Sequence, residues 1–213
     1  MSPPVGPTGL PGTCDGSDPP TWQVTAALGG FSTDVNFGDG TRVRVEQLAA
    51  TASLGHFASP RLGWSVAIGG VVAGRIEGRP VSAGASVAGT LTWLPIYESA
   101  GRPFVAVTGS LGVGYARADA DDDQPHNWWA FDLRGGVAVG KTVAGRFVPY
   151  AAVRAFGGPV LWRHAGAGIT GGDRYHVTVG AGLTVRLPGQ ADASVEAMPL
   201  GERSFAAAVT TRF

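Results

Sequence analysis

The stretch YHVTVGAGLTVRL, residues 175–187, alternates in character at every position. Its odd-numbered residues are all apolar, whereas the even-numbered ones are histidine, threonine, glycine or arginine. A period of two places successive side chains on opposite faces of a β-strand, so this stretch predicts a strand with one apolar face. The fold then depends on how many such stretches the chain contains and on what covers their apolar faces.

Alternating stretches separated by turn-forming residues continue through the chain from Thr21 onward, and no helix-length window has a 3.6-residue period. In the second stretch a β-bulge near Glu46 and Gln47 is expected, because the apolar residues change phase there. The alternation alone fits either a soluble barrel or sandwich with its apolar face inward, or an antiparallel up-and-down transmembrane β-barrel with that face outward. The two features described next favour the all-β transmembrane barrel, over residues 21–213, with ten strands in a range of eight to twelve. Residues 1–20, rich in Pro and Gly, are expected to form a flexible tail. The ten stretches are 22–31, 42–57, 64–75, 81–94, 104–116, 128–139, 147–158, 175–187, 192–198 and 203–213.

The less apolar face of these stretches differs from the surface of a soluble protein. Charged residues make up 15% of the chain, against about a quarter in an average globular protein. This face carries mostly small residues and a few charges of both signs, which suits the interior of a narrow closed barrel. The predicted polar lumen residues are Arg44, Glu46, Asp132, Arg134, Tyr150, Arg154, His176, Arg186 and Glu196. They either form ion pairs that fill the lumen or line a narrow pathway for a small polar solute.

Aromatic residues gather near the ends of the stretches. Two aromatic rings around an aliphatic band are typical of the membrane interfaces of a barrel, whereas a water-soluble core collects its aromatics centrally. The ring at the end that bears the termini is predicted to comprise Trp22, Phe57, Trp64, Trp93, Tyr97, Phe104, Phe147 and Phe213. The ring at the other end is predicted to comprise Phe31, Tyr115, Trp128, Trp129, Trp162, Tyr175 and Phe205.

The last stretch, SFAAAVTTRF (residues 204–213), ends on an aromatic residue. With Phe205, Val209, Thr211 and Phe213 on one face, it resembles the terminal strand of Gram-negative outer-membrane β-barrel proteins. The resemblance covers residues 21–213 at the level of architecture, although Thr211 stands where the family often has Tyr or Phe. It implies a place in the outer membrane with both termini in the periplasm, and recognition of those four residues by the barrel assembly machinery. Expected partners are the lipid bilayer, lipopolysaccharide and other envelope proteins.

The same topology assigns the connections at the end opposite the termini to loops, namely residues 32–41, 76–80, 117–127, 163–174 and 199–202. The acidic run Asp121, Asp122 and Asp123 with His126 is either a divalent-cation site or, more simply, a solvated acidic loop. No cofactor is expected.

The formal net charge of zero argues against a nucleic-acid binder. Neither the Asp and His spacing of outer-membrane proteases nor a serine–histidine–acid arrangement on the outer side is recognisable, and His56 and Ser59 would lie at the periplasmic end. The predicted role is therefore a non-catalytic structural or interaction barrel that displays outer loops. The alternatives are a narrow channel and a hydrolase with an active site at the rim.

Overall fold

The computed structural model describes residues 22–118, 126–164 and 167–213, which form antiparallel β-strands. Within these residues, no helix is long and apolar enough to cross a membrane. The expected tail at residues 1–20 lies outside the described residues. The strands are β1 (Trp22–Phe37), β2 (Arg42–Ser59), β3 (Leu62–Ile76), β4 (Arg79–Ile96), β5 (Phe104–Ala118), β6 (His126–Gly140), β7 (Phe147–Gly157), β8 (Pro159–His164), β9 (Ala167–Asp173), β10 (Val177–Leu187), β11 (Ala191–Leu200) and β12 (Arg203–Arg212).

Ten of these strands close into a barrel, as the sequence predicted. Strands β1 to β7 pair in chain order and β7 pairs with β10. Strands β10 to β12 again pair in order, and β12 pairs with β1 to close the ring. Each of these ten strands, over its described residues, has a hydrogen-bonded partner on both sides, which is what a sheet surrounded by hydrocarbon requires. Trp22 and Phe213 exchange backbone hydrogen bonds of 3.2 and 3.1 Å, so both ends of the barrel's chain lie together. We call this the proximal end and the opposite end the distal end.

The remaining two strands, β8 and β9, form a hairpin at the distal end. β8 pairs with residues 127–130 of β6, and β9 pairs with residues 35–37 of β1. At this level β1 to β6 and the hairpin make a narrower ring of eight strands, which we call the distal extension. The prediction of a loop at 163–174 was therefore wrong. The sequence did not reveal these two short strands, because Gly168, Gly171 and Gly172 interrupt the alternation there. Residues 32–37 are likewise part of β1 and not of a loop.

Polarity inverts along the strands where they enter the distal extension. In β2, Val43 and Val45 point inward and are fully buried, while the side chains of Arg44 and Glu46 point outward and are 61% and 50% exposed. Nearer the proximal end Leu54 points outward and is 44% exposed. The strand thus alternates without a break, and the predicted bulge near Glu46 is wrong. The irregularity lies in β3, where Val72 is the extra residue between the partners of Leu48 and Ala49.

The exterior of the ten-stranded part is apolar. Ile68, Leu111 and Leu133 are 61–66% exposed, and large aliphatic side chains face outward on strands all around the barrel. Soluble monomers rarely expose contiguous apolar patches above a few hundred square ångströms. This exterior is suited to hydrocarbon. The exterior of the distal extension is mostly polar, although Trp129 and Leu161 continue the apolar face where the hairpin joins β6.

The predicted aromatic rings are only partly outward-facing. Seven members of the rings point outward and are at least 40% exposed. They are Trp64, Trp93, Phe147 and Phe213 at the proximal end, and Trp129, Tyr175 and Phe205 toward the distal end. Trp22, Tyr97 and Tyr115 are half-buried. The assignment of Trp162 to a ring was wrong, as were those of Phe31, Phe57, Phe104 and Trp128, because these side chains are buried inside. Adjacent residues such as Trp128 and Trp129 point to opposite faces, so position along a strand does not decide exposure. That the outward rings contact the membrane interfaces stays a prediction.

Two apolar clusters occupy different levels of the barrel interior. The distal cluster contains Phe37, Trp128 and Trp162, whose rings lie 5.4–5.9 Å apart between centroids, together with Val35, Val43 and Val45. The proximal cluster contains Leu94, Phe104, Val148, Tyr150 and Met198. Polar and charged side chains lie in the rest of the lumen.

Candidate functional site

The polar lumen brings together charged residues from strands that are not neighbours. Nη2 of Arg154 on β7 lies 2.7 Å from both carboxylate oxygens of Glu196 on β11, and the hydroxyl of Tyr150 donates to Glu196 at 3.0 Å. All three residues are less than 10% exposed. Gly182 on the intervening β10 makes room, because a Cβ there would lie 2.3 Å from the phenol ring of Tyr150.

A second network surrounds Arg134 on β6. Its Nη1 and Nη2 donate to the two oxygens of Glu202 at 2.9 and 3.2 Å, and its Nε donates to Asp132. Its guanidinium also lies 5.2 Å from the centroid of the Phe156 ring. A charge with two carboxylate partners and a stacked ring is held in one orientation.

The turn between β11 and β12 brings Glu202 into this network. Gly201 has φ +83°, and a Cβ at that position would overlap the carbonyl oxygen of Val177, so the turn requires glycine. The hydroxyl of Thr178 donates to the carbonyl oxygens of Leu200 and Glu202 at 2.6 and 3.1 Å. The distal connection predicted as a loop at 199–202 is therefore a tight turn that supplies a buried carboxylate.

Two further polar contacts lie nearer the proximal end. Arg212 of the terminal strand contacts Asp192 of β11, and both side chains are at most 10% exposed. Glu98 accepts hydrogen bonds of 2.7 Å from the backbone N–H and the hydroxyl of Thr142. Nη2 of Arg186 lies 3.5 Å from that hydroxyl. The first contact joins two neighbouring strands, and the second joins the β4–β5 connection to the β6–β7 connection.

Asp173 is a buried carboxyl in the distal extension. It ends β9, is 5% exposed, and its Oδ1 has no hydrogen-bond partner among the described residues. Burial, together with the nearby carboxylates of Glu202 and Asp132, raises the pKa of Asp173 to about 6, and Arg134 acts in the opposite direction. This residue therefore binds a proton more readily than an ordinary aspartate.

The structure places three predicted lumen residues elsewhere. Arg44 and Glu46 form an ion pair of 3.0 Å on the exterior, because the inversion of polarity in β2 points them outward. His176 is exposed just before β10, where its Nδ1 lies 3.3 Å from the carbonyl oxygen of Phe156. These three assignments to the lumen were wrong. Asp132 and Arg134 belong to one network inside the barrel, and Tyr150, Arg154 and Glu196 form another.

The sequence-based prediction missed Asp192, Arg212, Asp173 and Glu202. The alternation could have identified the first two, because both stand on the inward-facing set of their stretches. It could not have identified Asp173 and Glu202, which lie in segments assigned to loops.

The metal candidates receive no support from position. Asp121, Asp122 and Asp123 lie outside the described residues, and of His126 only the backbone is described. Among the described residues, no three His, Cys, Asp or Glu side chains are placed to hold a metal ion. His56 packs against Trp22 and Trp64, with centroid distances of 4.6 and 6.0 Å.

Three solved outer-membrane proteins are similar to this chain. The protease OmpT from Escherichia coli is 8% identical with a TM-score of 0.57, over 92% of this chain and 98% of that one. The translocator domain of the autotransporter NalP from Neisseria meningitidis is 12% identical with a TM-score of 0.51, over 91% and 88%. An outer-membrane channel from Pseudomonas putida F1 is 7% identical with a TM-score of 0.51, over 98% and 100%.

No family model matches the sequence, and no curated protein matches it either. Identities of 7–12% mean that the structural similarity shows the fold alone. A protease, a translocator and a channel share this fold, so the role of this chain has to be argued from its own residues. The chain has the fold of an outer-membrane β-barrel.

Proposed function

We propose that this protein is a non-catalytic outer-membrane barrel whose lumen is filled by side chains and whose distal extension is displayed to the cell exterior for interaction. The observation that carries the proposal is the distal cluster, in which Phe37, Trp128 and Trp162 lie together within an eight-stranded ring. A barrel of eight strands is just wide enough for side chains to fill its interior. Such a cluster obstructs a path for polar solutes along the barrel axis.

The orientation proposed here places both termini in the periplasm and the distal extension outside the cell. The distal extension exposes the charged side chains of Arg44 and Glu46 on β2, which supports its projection beyond the bilayer. On the terminal strand, Phe205, Val209, Thr211 and Phe213 are all exposed on one face. That face is available to the barrel assembly machinery, which is the partner that the resemblance of this strand implies. Other envelope proteins are the proposed partners of the distal extension.

Single-channel recording in planar bilayers tests the filled lumen. We expect no steady conductance from the wild-type protein. The double variant Trp128→Ala/Trp162→Ala, which removes two rings of the distal cluster, should conduct. The matched variant Trp129→Ala changes the outward neighbour and should remain silent. A steady wild-type current would overturn the proposal in favour of the narrow channel.

The non-catalytic part of the proposal is tested separately. The purified protein in detergent is incubated with peptide and lipid A substrates, and we expect no turnover. Turnover that disappears in the variant His126→Ala or His176→Ala would replace this proposal with a hydrolase whose active site lies at the rim.

A further inference from the structure

Two rows of outward-facing residues cross adjacent strands of the barrel. The proximal row runs over five strands, from β11 through β12, β1 and β2 to β3, and the distal row over four, from β12 to β3. Direct backbone partners define each row, and the rows are two residues apart along the strands. The proximal row is apolar and consists of Ala197, Phe205, Gly30, Leu48 and Ala73. The distal row is polar and consists of Arg203, Ser32, Glu46 and Arg75. The boundary between the apolar band and the distal extension therefore runs between them.

A groove of about 960 Å³ lies along these rows on the exterior of the barrel. It exists because Gly30, Ala73 and Ala197 have little or no side chain, while Phe205 stands beside them at 58% exposure. The Phe205 ring covers Gly30, since a Cβ at Gly30 would meet its Cε1 at 2.6 Å. An apolar groove of this size at the edge of a lipid-facing band accommodates acyl chains.

A smaller polar recess of about 310 Å³ adjoins the groove and shares Ser32, Pro199 and Arg203 with it. Arg44 lines this recess and donates to the hydroxyl of Ser32 at 3.3 Å. Tyr175 lines it as well, under the guanidinium of Arg174 at 5.3 Å. The apolar groove and the polar recess together match an amphipathic ligand, with the chain in one and the head group in the other.

The charge of this region favours an anionic head group. Around the groove and recess there are more arginines than carboxylates. The arginines are Arg44, Arg75, Arg174 and Arg203, and the carboxylates are those of Asp34 and Glu46. Guanidinium groups bind phosphate through paired N–H donors. Arg203 and Arg75 stand three strands apart, roughly 14 Å between Cα atoms from the usual strand spacing. That separation suits a head group with more than one phosphate, and Ser32 and Glu46 between them can bind sugar hydroxyls.

We propose that this groove and recess form a binding site for a phosphorylated glycolipid of the outer leaflet, the lipid A portion of lipopolysaccharide. The acyl chains lie against Phe205 and Gly30, and the phosphates bind Arg75 and Arg203. The inference rests on the proposed orientation, which places the distal row at the head-group surface of the outer leaflet.

Native mass spectrometry of the protein in zwitterionic detergent micelles tests the site, with bis-phosphorylated lipid A as the probe. We expect wild-type protein to bind it, and the double variant Arg75→Ala/Arg203→Ala to bind at least tenfold more weakly. Ala197→Trp fills the groove without changing charge and should weaken binding similarly. The matched control Arg117→Ala/Arg163→Ala removes two other exposed arginines of the distal extension and should stay within twofold of wild type. Heat-dependent gel mobility establishes that each variant is folded.

The proposal is overturned if the groove variants bind as wild type does, or if the control loses as much affinity as they do. It is equally overturned if dephosphorylated lipid A or phosphatidylglycerol binds as tightly as bis-phosphorylated lipid A. Because the measurement is made in micelles, it does not depend on sidedness in the cell. A conducting lumen would contradict the proposed function and leave this result unaffected.

Discussion

Arg154 and Glu196 form a buried ion pair across one intervening strand of the barrel, with Nη2 of the arginine 2.7 Å from both carboxylate oxygens. Tyr150 donates to the same carboxylate, so the acid has partners on both oxygens. A buried pair of this kind stabilises a fold only if its remaining polar atoms are satisfied. Here it ties β7 to β11 through the lumen in addition to the backbone pairing with β10.

Replacing Glu196 by Gln should destabilise the barrel strongly, because the buried Arg154 would keep its charge without an anionic partner. Loss of one member of a buried pair costs about 3–5 kcal/mol. Urea unfolding in lipid vesicles, followed by tryptophan fluorescence, measures the change in the free energy of unfolding. The control is Glu46→Gln, which breaks the exposed pair with Arg44 and should cost at most about 1 kcal/mol. Equal losses in the two variants would show that the lumen pair is solvated like a surface pair.

Gly182→Ala tests the close contact beneath Tyr150. The added methyl group would lie 2.3 Å from the phenol ring, so the ring must shift and its hydrogen bond to Glu196 is disturbed. Overpacking of this kind costs about 1–3 kcal/mol, measured by the same unfolding assay. Gly135→Ala is the matched control, since nothing lies within 4 Å of a Cβ at that outward position. A Gly182 variant as stable as this control would contradict the described ring position.

The sequence could predict the ten-stranded barrel because the period of two persists wherever a strand separates two environments. It could not predict where each environment ends. Val43 and Val45 alternate with polar residues as Leu48 and Leu54 do. Val43 and Val45 nevertheless face the interior of the barrel, whereas Leu48 and Leu54 face its exterior. Alternation indicates that the two faces of a strand differ in polarity. Which face points into the barrel is seen only in the closed structure. The misplacement of Arg44 and Glu46 follows from this ambiguity.

The lumen contacts were predictable to the extent that both partners lie on recognisable strands. Arg154 and Glu196 are on inward-facing sets of two predicted strands, and the structure joins them. Glu202 was missed because it lies in a turn, and its contact with Arg134 spans 68 residues of sequence. Such a contact depends on barrel closure and has no local signal.

The buried carboxyl of Asp173 predicts a pH-dependent stability. Its pKa of about 6 in the folded state lies above the ordinary value of 3.8, so the folded state binds the proton more tightly than the unfolded chain. The free energy of unfolding should therefore fall as pH rises from about 4 to about 6 and then level off. The shift corresponds to a loss on the order of 3 kcal/mol. Asp173→Asn should remove this fall and be the more stable protein at pH 8.

Unfolding midpoints measured between pH 4 and pH 8 check the Asp173 prediction. The comparison variant is Asp39→Asn, which changes an exposed turn carboxyl that accepts the N–H of Thr41. This variant should retain the wild-type fall between pH 4 and pH 6. If the free energy of unfolding of Asp173→Asn still falls between pH 4 and pH 6, the pH dependence belongs to another titratable group.

Trp128 and Trp129 are adjacent in sequence and should report opposite environments. Trp128 is 2% exposed inside the distal cluster, whereas Trp129 is 45% exposed on the outward face. In vesicles with brominated acyl chains, quenching requires contact between an indole ring and lipid. Trp129→Phe should therefore lower the quenched fraction of the emission. Trp128→Phe should raise that fraction, because it removes a fluorophore that the lipid does not reach. The reverse pattern would mean that water or protein covers the outward face and that hydrocarbon reaches the inward one, which would invert the barrel described here.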